Sequence, residues 1–317
     1  MLTVVCGGFG AARFLAGLRE VVDTPLCCVV NTADDLEYAG LRVSPDLDSV
    51  LYALGGEFDE ERGFGRRGDT FRCNAELARY GAGWFSVGDE DLALHLERTR
   101  LVHAGLSLSE ATAQVAAAWA CPARLLPMSN DPVRTVVETD EGVLSFADYL
   151  VRRRGAPRVT GVRYDGIDGA APAPGVLDAL RDAGVVLIAP SNPVSSVGPL
   201  LALPGVRESL RSRRGPTVAV TPVVSGREPV TEPERSRAHV RAALLGALGL
   251  PHRAAVVAGL YAGWLDGFVL DERDEAEQAE IPVPVLLADT LAEPGPARAE
   301  LARAVLDFAG GVGRERR

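Results

Sequence analysis

The stretch that most limits what this chain can become is its opening, LTVVCGGFGAARFLAGL. A short β-branched run from Leu2 to Cys6 meets Gly7, Gly8 and Gly10, and apolar residues at helical spacing follow at once. Strand, tight turn and helix in that order predict the first unit of a parallel α/β sheet. LCCVVNT, Leu26 to Thr32, repeats the pattern, and continuous apolar strands of this kind belong in a sheet covered on both faces. The rhythm resumes in VVLIAPSNP (Val185 to Pro193), TVAVTPVVSG (Thr217 to Gly226), AAVVAGLY (Ala254 to Tyr261) and IPVPVLLAD (Ile281 to Asp289), and ARAELARAVLDFAG closes as an amphipathic helix.

Between these blocks the spacing is helical: DLDSVLYALGG, TFRCNAELARYG, DEDLALHLERTRLVHAG and SLSEATAQVAAAWA, several of them closed by glycine. RTVVETDEGVLSFADYLVRR reads as a hairpin turning at Asp140 to Gly142, followed by a helix. SGREPVTEPERS, Ser225 to Ser236, is the segment expected to be a mobile loop. The expectation is an α/β fold: a Rossmann-like, mostly parallel sheet with helices on both faces and an inserted, mainly helical subdomain. Residues 1–45 and 121–317 would form the core, and residues 46–120 the insertion that contributes to the site. At 317 residues the chain can bury a substantial core.

Composition removes several functions. A net charge of -10 gives no cationic face for phosphate-rich polymers, so no nucleic acid partner is expected. The basic charge is all arginine, which excludes Schiff-base chemistry and a P-loop lysine. Five cysteines without CxxC spacing read as reduced, mostly buried thiols rather than a disulfide framework or a zinc site. No apolar run reaches the length of a membrane span, and the first residues lack a basic leader, so a cytoplasmic protein without membrane contact is expected.

The residues that could do chemistry lie at the ends of the predicted strands. Backbone amides at Gly7, Gly8 and Gly10, added to the positive end of the helix, suit an anion. The turn departs from the dinucleotide fingerprint, because Arg13 holds the third glycine position and the second strand ends in Asn31 and Thr32 rather than an acid. NTADDLEYAGLRVSPDLDSV brings Asp34, Asp35, Asp46 and Asp48 after that strand, close to the same crevice. Carboxylates there could hold a hard cation, or Asp46 or Asp48 could cap a helix. RGFGRRGDTF adds Asp69 and arginines that either clamp phosphates or cover a solvated face. APSNPVSSVGP presents Ser191 and Asn192 at a helix start, a turn suited to a nucleobase or phosphate, or a plain connection. His95 and His103, eight apart, read as packing residues, and no GxSxG elbow is present. The residues therefore favour direct transfer assisted by a metal over a nucleophilic enzyme intermediate.

GGFGAARFLAGL, VVNTADDLEYAGLRVSPDLDSVLYALGG, RGFGRRGDTF, WFSVGDEDLALHLERT and LIAPSNPVSSVGPLLALPGVR together, in this order, resemble the 2-phospho-L-lactate transferases of coenzyme F-420 biosynthesis, the CofD/FbiA family. The resemblance covers nearly the whole chain and weakens after Gly226. It implies a Rossmann-like core, a helical addition, a homodimer and Mg²⁺-dependent transfer onto the deazaflavin Fo. The donor is a guanylyl diphosphate carrying lactate or enolpyruvate, and GMP leaves.

On these motifs the resemblance implies that Gly7, Gly8 and Gly10 hold the nucleotide phosphates, with Ser191 and Asn192 at the guanine end. It gives Asp46 and Asp48 the catalytic role, Asp46, Asp48 and Asp69 the metal, and Asp48 and Ser86 the Fo acceptor. Ser86 stands where many relatives carry a basic residue, and Phe9 and Ala33 also depart from the usual motifs. Two other functions remain open beside it: an NAD(P)-dependent oxidoreductase and a non-catalytic nucleotide-binding regulatory protein.

Overall fold

The structure is a computed structural model that describes residues 1–315. Its strands are β1 (Leu2–Cys6), β2 (Leu26–Val30), β3 (Leu36–Tyr38), β4 (Leu41–Val43), β5 (Ala123–Pro127), β6 (Arg134–Thr139), β7 (Gly142–Ser145), β8 (Val159–Asp165), β9 (Val185–Ile188), β10 (Thr217–Val220), β11 (Gly267–Asp271) and β12 (Val285–Ala288). Seven of them form one parallel sheet in the order β12-β11-β10-β9-β1-β2-β5. The chain starts in the middle of this sheet, builds outward through β2 and β5, then returns to β9 and builds the other way. The direction of building therefore reverses between β1 and β9, and loops leaving the carboxyl ends of those strands diverge into a crevice.

Both faces are covered, which is why the strands are apolar throughout. One face packs α1 (Gly8–Leu18), α2 (Pro45–Gly55) and the C-terminal helix Pro296–Glu315 against Val4, Cys28 and Leu125. The other packs Leu180, Leu200, Tyr261 and Trp264 against Val5, Val29 and Ile188. Each fully buried leucine of this kind stabilises the fold by about 1.5–3 kcal/mol.

The helical stretch after β4 continues through α3 (Arg72–Ala78), α4 (Asp89–His103) and α5 (Leu108–Ala118). The sequence predicts these helices as an inserted subdomain. In the structure α2, α4 and α5 place Leu47, Leu51, Leu94, Leu101, Ala111 and Val115 in the same hydrophobic cluster as the sheet. The chain enters α5 through a reciprocal cap between Ser107 and Glu110, and leaves α2 through Gly56 in the left-handed region at φ 78.

Two local readings change, and one hairpin is added. AAVVAGLY is the helix Ala254–Leu260 rather than a strand, because its alanines favour helix and bury one face, while the strand is GFVLD. A short apolar run cannot be assigned by periodicity alone. LEYAGLRV is a hairpin whose turn residues Ala39 and Gly40 both take positive φ, 51 and 77, as a twisted two-residue turn demands. The last five residues of SGREPVTEPERS are already helical: Thr231 and Glu234 cap the helix Glu232–Ala247 reciprocally, with Pro233 in its first turn. A further antiparallel sheet, β7-β6-β8, lies between β5 and β9 and packs Val137, Tyr149 and Val159 against Val240 and Leu244 of that helix.

Candidate active site

A cavity of about 1120 Å³ opens where β1 and β9 diverge. Gly7, Gly8, Gly10, Asp46, Asp48, Ser86 and Asn192 all line it, so the structure brings most of the sequence-predicted residues together. The glycines are there for space as much as for an anion. Gly8 sits at φ +73, and a Cβ on Gly10 would lie 2.2 Å from the Pro190 carbonyl oxygen of the β9 loop. Two of the turn's amides are already engaged, Gly7 donating to Ser191 Oγ at 3.1 Å and Gly8 to the Asp46 carboxylate. What remains for an anion is the open start of α1, where the first amides lack intrahelical acceptors.

Ser191 thus braces the turn from behind. Asn192 Oδ1 accepts from the amides of Val194 and Ser195 at 2.9 and 3.2 Å, capping the turn of helix after β9 while it lines the cavity.

Against the glycine turn lies an acidic floor. Asp46, only 7% exposed, accepts from Asn31 Nδ2 at 2.9 Å, and Asn31 Oδ1 accepts from the Ala33 amide at 3.0 Å. The residue that ends β2 therefore orients a carboxylate, a task different from the ribose contact of a dinucleotide site. Burial pushes the Asp46 carboxyl up to about 6. Asp34, beside it, is held well above the usual carboxylate range by burial and then by the Asp46 charge, and its Oδ1 is buried without a hydrogen-bond partner among the described residues. Asp35 accepts from Ser44 Oγ at 2.8 Å and is pushed up to about 7, again chiefly by burial. Asp46 and Asp48 lie in the first turn of α2, where the helix dipole favours them, but neither caps it, since the N-cap is Ser44.

Asp48 faces away from the glycine turn toward α4. Both of its oxygens accept from Arg98, through Nη1 at 3.2 Å and through Nη2, and His95 Nδ1 lies 3.5 Å from Oδ2. His95 Nε2 is 3.6 Å from Asp91 Oδ1, which also accepts from the Tyr52 hydroxyl at 2.5 Å. Asp48, Asp91 and His95 are all buried, and one ligand atom from each lies within 4.8 Å of the others, a group that could hold a metal ion. Asp69 is not part of it. Its two oxygens accept from the Glu90 and Asp91 amides at 3.0–3.1 Å and fix the start of α4, and it does not line the cavity. Sequence reasoning missed Asp91, His95 and Arg98, although their i, i+4, i+7 spacing on one helix face was a usable signal.

The raised carboxyls carry a pH consequence. A group whose folded value lies above its unfolded one contributes stability that is fully present below about pH 4 and lost as pH rises through the folded value. For Asp35 and Asp46 that loss falls between about 4 and about 7. The thermal midpoint of Asp35→Asn is expected to fall less steeply over that window than the wild type's. Equal slopes in scanning calorimetry would contradict the assignment.

Glycine turn, reversal point and buried acids in one crevice define the class: a doubly wound α/β protein built to take an anionic ligand at the ends of its strands. The chain belongs to the 2-phospho-L-lactate transferase CofD family, whose model matches residues 2–285, and it is an enzyme, a transferase. It is 41% identical to the phosphoenolpyruvate transferase of Streptomyces griseus over 97% of this chain and 98% of that protein. It is 40% identical to the 2-phospho-L-lactate transferase of Methanosarcina acetivorans, covering 87% and 88%. Among solved structures, a UPF0052 family protein of Bacillus halodurans matches with a TM-score of 0.64 and 16% identity over 96% of this chain and 98% of that one, a likeness of fold.

Proposed function

We propose that the chain transfers a 2-phospholactyl or phosphoenolpyruvyl group from a guanylyl diphosphate donor to the terminal ribityl hydroxyl of the deazaflavin Fo, releasing GMP, in coenzyme F-420 biosynthesis. The observation that carries this reading is the acidic floor of Asp34 and Asp46 beside the start of α1, both lining a cavity of about 1120 Å³, space for both substrates. Relatives of both names match at nearly the same identity, 41% and 40%, so the donor is proposed as either acid.

In this reading the open start of α1 binds the donor diphosphate, Gly7, Gly8 and Gly10 let it approach, and Ser191 holds the turn. Asn192 lies toward the guanine end and Ser86 toward Fo. Asp34 and Asp46 fit a hard cation, because a buried carboxylate oxygen without a partner beside a second carboxylate is a donor set of the kind Mg²⁺ takes. Mg²⁺ bound there would offset charge on the diphosphate as GMP leaves. Asp46, with its carboxyl at about 6, can also orient the attacking hydroxyl and take its proton. Asp48 has both oxygens engaged by Arg98, and with Asp91 and His95 it forms the second group that could hold a metal ion. Asp69 has no part in this account of the metal.

A homodimer and a cytoplasmic location complete the proposal, on the strength of the family resemblance; no helix of the described residues is long and apolar enough to cross a membrane. Mass spectrometry of what forms from Fo and each guanylyl donor, with GMP measured alongside, tests the reading.

A further inference from the structure

The helix Glu232–Ala247 forms one wall of the cavity and turns Arg237 and Arg241 into it, one helical turn apart and about 6 Å along the axis. Most other cavity arginines have carboxylate partners: Arg13 with Glu234 at 3.2 Å, Arg227 with Glu234 at 3.6 Å, Arg235 with Glu232 at 3.3 Å, Arg298 with Glu60 at 2.5 Å and Arg62 with Asp59 at 2.6 Å, whereas Arg154, with no ion pair among the described residues, is exposed to solvent. Among the described residues, Arg237 and Arg241 have none within ion-pair distance. Arg237 donates to the Gly63 and Pro233 carbonyls at 2.8 and 3.2 Å and stacks on Phe9 of the glycine turn, 4.7 Å from its centroid. Arg241 donates only through Nε, to His252 Nε2 at 3.0 Å, which leaves both terminal nitrogens without a protein acceptor among the described residues.

Keeping a guanidinium out of bulk water without a counter-charge is costly, and both groups show it: burial lowers each to about 10, opposed only at Arg237, by the Asp46 charge. His252 is lowered to about 4 by burial and by Arg241, so it is neutral and free to accept from Nε. An anion arriving between the two arginines would remove that cost.

We infer that Arg237 and Arg241 form a two-guanidinium subsite for a phosphate ester that bears a carboxylate on the adjoining carbon, the acidic end of the transferred group. Arg237, beside the glycine turn and facing Asp46, takes phosphate oxygens. Arg241, a turn further along with its planar fork open, takes the carboxylate in bidentate fashion. The inference rests on the transferase reading and adds to it the residue that recognises the three-carbon acid. A group transferred without that carboxylate would leave Arg241 unpaired, so the subsite selects for the acid rather than for phosphate alone.

Isothermal titration of the full chain with phosphoenolpyruvate, inorganic phosphate and GMP tests this without requiring turnover. The wild type is expected to bind phosphoenolpyruvate about tenfold or more tighter than phosphate, and Arg241→Gln is expected to erase that margin while phosphate and GMP bind as before. Arg237→Gln is expected to lose phosphate as well. Unchanged phosphoenolpyruvate affinity in Arg241→Gln, or no preference over phosphate in the wild type, would overturn the subsite. GMP binding reports that a variant is folded. Should Arg241→Gln lose it, Arg241→Lys, which keeps the charge but not the fork, is expected to weaken phosphoenolpyruvate alone, and wild-type affinity there overturns the bidentate role. Transfer to Fo by the wild type, assayed separately, keeps the two readings apart: turnover without this binding pattern sinks only the subsite, and the pattern without turnover sinks only the transferase reading.

Discussion

Asp46→Asn is expected to lower kcat for GMP release by about 10²–10³-fold while leaving the fold intact. Asparagine keeps one oxygen, able to accept from Asn31 or the Gly8 amide, but removes the charge, so the floor beside the glycine turn loses one of its two carboxylates. The loss should carry a pH signature. Asp46 is ionised only above about 6, so wild-type turnover should rise through that value and level off above it. Raising Mg²⁺ should move the rising limb to lower pH, since cation and proton compete for one carboxylate. Steady-state rates across pH at two Mg²⁺ concentrations check both points, and near-normal turnover in the variant would remove Asp46 from the mechanism.

The second large effect concerns stability. Arg98 and Asp48 are 2% and 3% exposed and satisfy each other through both carboxylate oxygens. Arg98→Met leaves Asp48 buried without its cation and is expected to cost about 3–5 kcal/mol in urea unfolding. The double variant Asp48→Asn with Arg98→Met, which removes both charges, should recover much of that loss. A single variant as stable as the wild type would mean that the pair does not hold α2 against α4.

The sheet was legible in the sequence because β1, β2, β9, β10 and β12 are short apolar runs ending in glycine, proline or polar residues. β11 was not, because it opens on Gly267 and lies next to AAVVAGLY, a run whose period fits either structure. A Cβ on Gly267 would meet the Phe308 ring at 2.8 Å, so the residue that hides the strand is required by a contact from the distant C-terminal helix.

The site divides in the same way. Gly7, Gly8, Gly10, Asp46, Ser86 and Asn192 could be found because each lies at a strand end or inside a short motif, and one crevice gathers them. Asp48 lies in the same motif as Asp46, yet the helical step between them turns it toward Arg98 and His95, a pairing between α2 and α4 that no local spacing reveals. Asp69 was expected as a ligand because RGDT matches the family motif. Whether such a carboxylate meets a cation or a helix start depends on where α4 begins, which only the fold decides. Arg237 and Arg241 were hidden differently: they lie just past the segment expected to be a loop, Ser225 to Ser236, and their one-turn spacing carried no meaning until the helix was seen.

The most direct measurement is mass spectrometry of the purified chain incubated with Fo, Mg²⁺ and either lactyl- or enolpyruvyl-diphosphoguanosine. The account predicts a phosphodiester of Fo carrying the three-carbon acid of one or both donors, formed in equal amount with GMP and lost on chelation of the metal. GMP release without an Fo ester, or Fo left unmodified with both donors in the presence of Mg²⁺, would contradict it.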